Sequence, residues 1–175
     1  KISKIIKEQK KMYGGMKYPA HDGGWRARPS FFMKGFGATK RDRAPFVRTV
    51  GKEILFRIVT GQQDSIPPYV AGVMDKLCSM NMHLDDFVIS ATVKAKDDYK
   101  HDRMAHLTAQ TILEREQGIQ MRPGQRISYI VIPGETKLYT RGYPLELVNV
   151  NAKYPDYTYY IKNQFLPSIR PLLSF

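Results

Sequence analysis

The chain has 175 residues, of which 42% are hydrophobic and 11% aromatic, enough to build a core and too apolar for wholesale disorder. Lysine and arginine outnumber aspartate and glutamate by 28 to 16, a net charge of +12 that points to a polyanionic partner, nucleic acid before an anionic membrane surface. The apolar runs FVISATV and SYIVI fall far short of the roughly 20 residues of a spanning helix, the opening KISKIIKEQKK is too charged for a secretory signal, and the lone Cys78 excludes a disulfide framework or thiolate zinc site.

Residues 1–18 are basic and carry isoleucine and tyrosine, which favours a strand, with Gly14 and Gly15 marking a bulge or a close backbone approach. YPAHDGGWRARPS predicts an irregular loop, and FFMKGFGA a short strand ending on Gly35 and Gly37. Asp42 is the expected cap of a helix with Pro45 in its first turn, a stripe of Val47, Val50, Ile54 and Ile58, and Gly61 as its stop. Ser65 and Pro67–Pro68 open a second helix with Val70, Val73, Met74 and Leu77 inward, and Cys78 is expected to be buried beside them.

The β-branched run within Leu84–Val93 predicts a strand, and 102–117 a further helix. Pro123–Gly124 suits the centre of a type II turn, after which SYIVI forms a strand stopped by Pro133. The tail carries Ile161, Phe165, Ile169 and Leu172 on one helical face, with a kink expected at Pro167. The sum is α+β: a small β-rich start, then a mainly helical body with short strands.

No self-contained catalytic constellation is visible. His21, His83, His101 and His106 lack metalloprotease spacing, and the pairs Asp85–Asp86 and Asp97–Asp98 read as helix caps before they read as magnesium ligands. The first quarter of the chain says more. Lys10, Lys11, Lys17, Arg26, Arg28, Lys34, Lys40, Arg41 and Arg43 are interleaved with Trp25, Phe31, Phe32 and Phe36, a mixture suited to phosphate and sugar.

Five phrases, in order, resemble the B-family DNA polymerases over the region after their catalytic aspartate motif. KKMYGG is similar to the family's Lys-Lys-x-Tyr element, and MKGFGATKRDRAPFVR to its Lys-Gly…Arg-Arg-Asp…Pro stretch. LDDFVISATVKAKDDYK resembles a thumb segment, RPGQRISYIV the Arg-Pro-Gly-Asp-Arg-Val-Pro-Tyr phrase, and DYTYYIKNQFLPSIRPLL the closing Tyr-Tyr-Ile-x-Asn-Gln-x-Leu-Pro helix. Gln125 and Ser128 depart from the usual Asp and Pro, and AHDGGWRARPSF stands as an insertion without an assigned role.

The resemblance implies a palm end over 1–41 and a thumb over 42–175. It implies Lys10, Lys11 and Tyr13 near the primer terminus, and Lys34, Lys40 and Arg41 on the primer backbone, with Asp42 orienting Arg41 or capping the next helix. Lys94, Lys96, Tyr99 and Arg122 are expected on duplex phosphates further back. Mg2+ would serve the parent enzyme through carboxylates that precede this chain. A fragment is expected, since the chain lacks a starting methionine, and the lack of a cysteine-rich domain fits a viral or compact enzyme, or truncation.

The implied partners are primer–template DNA, the remaining palm, the fingers, an exonuclease and a processivity factor, with no membrane. The expected location is intracellular, in the nucleus, and the host nucleus for a virus. The rival readings are a stand-alone, non-catalytic nucleic-acid-binding module and a basic ribosomal-type protein.

Overall fold

The computed structural model describes residues 2–9, 12–17, 30–134 and 137–174. Its α+β chain divides into two compact units, one of residues 1–81 with 164–175 and the other of residues 82–163. The predicted loop over 18–30 falls almost wholly outside the described residues.

The first unit opens on an antiparallel sheet of β1 (Ile2–Gln9), β2 (Met12–Lys17) and β3 (Ser30–Lys34), in that order. Gly35, at φ +82°, turns the chain out of β3 into a short 3-10 helix, Gly37–Thr39. Helix α1 (Pro45–Thr60) follows and buries Phe46, Val47, Val50, Ile54, Leu55 and Ile58. Gly61 ends it in the left-handed conformation, as expected.

The N-cap of α1 is Ala44, two residues past the expected Asp42, and no side chain at that position caps it. The Ala44 N–H donates instead to Gln164 Oε1 at 2.8 Å, across 120 residues of sequence, in a buried bond. Asp42 sits exposed in the preceding turn, so the cap is tertiary rather than local. Gly51 is required, because a β-carbon there would overlap that of Ala38 in the 3-10 helix.

Helix α2 (Ile66–Cys78) buries only Ile66 and Leu77, while Val70, Val73 and Met74 are half-buried. Cys78 is exposed, contrary to expectation. One residue on from Leu77 turns about 100° round the helix, which carries the final residue out of the apolar face.

In the second unit, β4 (Ile89–Thr92), β5 (Arg126–Val131) and β6 (Gly142–Pro144) form an antiparallel sheet in sequence order. Helix α3 (Ala105–Gln117) packs on it, and Val93, Ala109 and Ile127 make a core flanked by Ala91, Met121 and Tyr129. Short α4 (Leu145–Val148) follows β6. Ser128, where the resemblance expects proline, pairs with Ser90 across the sheet, and their hydroxyls lie 3.0 Å apart.

The terminal helical run starts at α5 (Tyr157–Tyr159), capped by Asp156, whose Oδ1 accepts the Tyr159 N–H at 3.0 Å. It passes through a π-helical turn, Tyr160–Phe165, into α6 (Leu166–Ile169) and a 3-10 turn, Arg170–Leu172. The irregularity expected from Pro167 takes this form: the ladder widens just before the proline that cannot donate to it. Phe165, Ile169 and Leu172 are buried as the spacing predicts.

Tyr160 is fully buried and has a structural task. Its hydroxyl accepts the Val131 N–H at 3.0 Å and donates to the Phe87 carbonyl at 2.8 Å, and burial holds the phenol far above its ordinary pKa. Tyr160→Phe removes both of these bonds from a buried site, and is expected to lower stability by about 1–3 kcal/mol in urea unfolding. An unchanged midpoint would contradict this role.

Candidate nucleic-acid interface

The site begins with the pleat of the first sheet. Tyr13 lies directly opposite Lys34, Gly15 opposite Phe32, and Lys17 opposite Ser30. Opposed residues in an antiparallel pair share a face, and alternate residues along a strand change face. Phe31 meets Phe56 of α1 edge-on, with ring centroids 5.8 Å apart, so Phe31 and Met33 are on the helix side. Tyr13, Phe32, Lys34 and Lys17 therefore share the opposite face. Lys17 and Lys34 are exposed there and Tyr13 and Phe32 half-buried.

Two motif residues 21 positions apart thus become neighbours. Lys17, one of the basic residues of the first quarter but outside the motif roles, joins them because strand alternation puts it on this face. Among the described residues, the Tyr13 hydroxyl has no hydrogen-bond partner. Lys10 and Lys11 lie outside the described residues.

Lys40, Arg41 and Asp42 form an exposed turn between the 3-10 helix and α1, closed by the Arg43 N–H on the Lys40 carbonyl at 3.2 Å. Among the described residues no ion pair joins Arg41 to Asp42. The expected orienting contact is thus not made in this structure, and the turn presents its charges to solvent.

The second unit brings the remaining candidates together. Val93 extends the sheet by pairing with the 122–125 turn, its N–H donating to the Gln125 carbonyl and its carbonyl accepting from Gly124, both at 2.8 Å. That turn is type II as predicted: Pro123 precedes Gly124 at φ +90°, and the Gln125 N–H donates to the Arg122 carbonyl at 3.1 Å. Gln125 Oε1 also accepts the Arg122 N–H at 2.6 Å, so glutamine closes the turn where the resemblance expects aspartate.

Beside this turn is an open groove of about 650 Å³, with Lys94, Lys96, Tyr99 and Pro123 in its wall and His101, Thr108 and Thr111 further along. Arg122, exposed, precedes Pro123 on the same turn. Asp102 and Glu114 also line the groove, so its charge is mixed rather than uniformly basic.

The Tyr99 hydroxyl is already engaged. It accepts the Lys94 N–H at 2.8 Å and lies 3.3 Å from His106 Nε2. Neutral His106 can accept the phenol proton, which leaves Tyr99 as the post that holds the 94–99 loop. Half-buried His106 is pushed below its ordinary pKa, first by burial and then by the Lys94 charge. Only the fold shows its partner.

Among the described residues, no group of three His, Cys, Asp or Glu side chains could hold a metal ion. Asp85–Asp86 and Asp97–Asp98 lie in the first turns of the 3-10 helices Leu84–Phe87 and Lys96–Asp98, but neither helix has a side-chain cap. These residues therefore do not fit a magnesium centre, and no catalytic step is assigned to them. Among the described residues no helix is long and apolar enough to cross a membrane.

An α+β fold with this motif order is that of a polymerase segment. The chain belongs to DNA polymerase family B, whose sequence model matches residues 3–174. It is 29% identical over 146 residues to DNA polymerase 2 of Aeropyrum pernix, covering 81% of this chain and 17% of that protein. Over 187 residues it is 24% identical to a DNA polymerase of Archaeoglobus fulgidus, covering 98% and 23%. The family B DNA polymerase of Pyrobaculum calidifontis superposes with a TM-score of 0.68 at 25% identity, over 93% of this chain and 20% of that one. The chain thus spans about a fifth of these relatives' length.

The lowered pKa of His106 carries a sign. The unfolded chain takes up a proton near the ordinary value of 6.5, while the folded chain resists it, so stability is full above that pH and falls below it. The melting temperature of the wild type is expected to drop more between pH 7.5 and about 5.5 than that of His106→Gln. Equal drops would remove His106 from the account.

Proposed function

We propose that this chain is the end of the palm (1–41) and the thumb (42–175) of a DNA-directed DNA polymerase. It grips the primer–template duplex during DNA replication, while the metal-dependent nucleotidyl transfer belongs to other parts of the enzyme. The observation that carries the reading is the register that sets Tyr13 beside Lys34 on the exposed sheet face, uniting two family motifs.

A grip on duplex of any sequence must rest on phosphate and sugar, which carry no base identity. Lys34, Lys40 and Arg41 supply that for the primer backbone, and Lys94, Lys96 and Arg122 for duplex further back. Lys10 and Lys11 would donate near the primer terminus, where minor-groove acceptors common to all base pairs allow pairing to be sensed without reading sequence. Tyr13 would pack and hydrogen-bond beside them. In this reading Asp42 limits the charge of the KRD turn, and Tyr99 acts through the loop it holds.

Mg2+ as the metal, a processivity factor and an exonuclease as partners, and a place inside the cell or a host nucleus are parts of the same proposal. The relatives named above are archaeal, and the match of residues 3–174 favours a polymerase part over a stand-alone binding module.

If the chain neutralises about five phosphates, it contributes about −4 to −5 to the slope of log affinity against log salt. Lys34→Ala in the full enzyme is expected to flatten the slope by about one unit, and an unaltered slope would strike Lys34 from the contacts. Lys11→Ala and Tyr13→Ala are each expected to slow primer extension and raise the share of primers degraded. Normal extension and normal mismatch discrimination in both would refute the primer-terminus role.

A further inference from the structure

We propose that Phe32 is a positioning residue for Tyr13 and thereby sets how strictly the polymerase separates matched from mismatched primer ends; this rests on the duplex-gripping reading above. Phe32 belongs to none of the motif positions, yet among the described residues its ring meets Tyr13. The two rings are 6.3 Å apart between centroids and inclined at 68°, an edge-to-face contact.

The contact depends on the paired glycines, which have different tasks. Gly15 is directly opposite Phe32, so on the exposed face the ring has no opposing side chain and can lie across bare backbone. Gly14 is opposite Met33, on the helix side, where the strands come so close that a β-carbon would stand 3.1 Å from the Phe32 carbonyl oxygen and 3.4 Å from the Met33 β-carbon. Gly14 permits the close approach of β2 to β3. Gly15 sets no side chain opposite Phe32.

Tyr13 is thereby bounded on two sides, by Lys34 directly across the strand pair and by the Phe32 ring on the diagonal. A tyrosine on an open sheet face can rotate between staggered χ1 wells, and a ring edge in one of them restricts that freedom. The hydroxyl, which has no partner among the described residues, is then aimed in one direction. Discrimination at a primer end is a geometric test, so it needs a probe whose own position does not vary.

The test uses the full-length polymerase and the ratio of extension efficiency from matched and mismatched primer ends. Phe32→Ala is expected to lower that ratio about threefold to tenfold, and Phe32→Tyr, which keeps the ring, to restore it. In a Tyr13→Ala background, Phe32→Ala is expected to change the ratio no further, because its effect passes through Tyr13. Phe32→Leu keeps apolar bulk without a ring edge, and gives the same reading should the alanine variant not fold.

An unchanged ratio in Phe32→Ala, beside a fall in Tyr13→Ala, overturns the positioning role and leaves the duplex grip standing. The same fold-change with and without Tyr13 also overturns it, since Phe32 would then act by itself. A Tyr13→Ala enzyme with normal extension and discrimination defeats the primer-terminus reading itself, and this inference with it.

Discussion

The antiparallel register of β2 on β3 is the constraint on which the rest of the interface depends. A strand sends successive side chains to opposite faces, so fixing one pair fixes all. With Tyr13 opposite Lys34, Phe31 and Met33 must go to α1, and Phe32, Lys34 and Lys17 to the other face. A slip of one residue would carry Lys34 towards the apolar face of the helix and Phe31 into water. The cost of burying an unpaired ammonium makes that alternative strongly unfavourable. Core packing on one side of the sheet thus holds the cationic and aromatic set on the other.

A second group of constraints comes from the terminal helical run, which serves both compact units through single hydrogen-bonding residues. In the second unit Tyr160 ties β5 to the Phe87 carbonyl, while Asp156 caps α5 and accepts from Arg141 Nη1 at 2.7 Å. In the first, Gln164 supplies the cap that α1 lacks in its own sequence. Tyr160 and Gln164 both belong to the π-helical turn. The phrase YYIKNQFLP is therefore explained by hydrogen bonds as much as by its apolar stripe.

Much of this was legible in the chain, for physical reasons that differ from element to element. Val47, Val50, Ile54 and Ile58 repeat at helical spacing and end at a glycine, and the Pro123–Gly124 pair has few options but a type II turn. Local rules suffice there. They fail for Asp42, because the competing cap arrives from Gln164, 120 residues away. They fail for Cys78 as well, where one residue of helical rotation separates a buried leucine from an exposed thiol. Within the candidate interface, motif order singles out Tyr13, Lys34, Lys94 and Arg122 as candidates, but neither motif nor composition gives strand register. The pairing of Tyr13 with Lys34, the place of Lys17 on the same face and the contact with Phe32 all required the fold.

The account's central claim is that the exposed face of β2 and β3 meets the primer end, while the groove by the 122–125 turn meets duplex further back. Photo-cross-linking from reactive groups attached to successive primer phosphates tests it directly in the full-length enzyme. Groups at the primer end should attach to the peptides bearing Tyr13 and Lys34. Those several base pairs upstream should attach to the peptides bearing Lys94–Tyr99 and Arg122. Cross-links in the reverse order, or none to the β2–β3 face from any position, would contradict it.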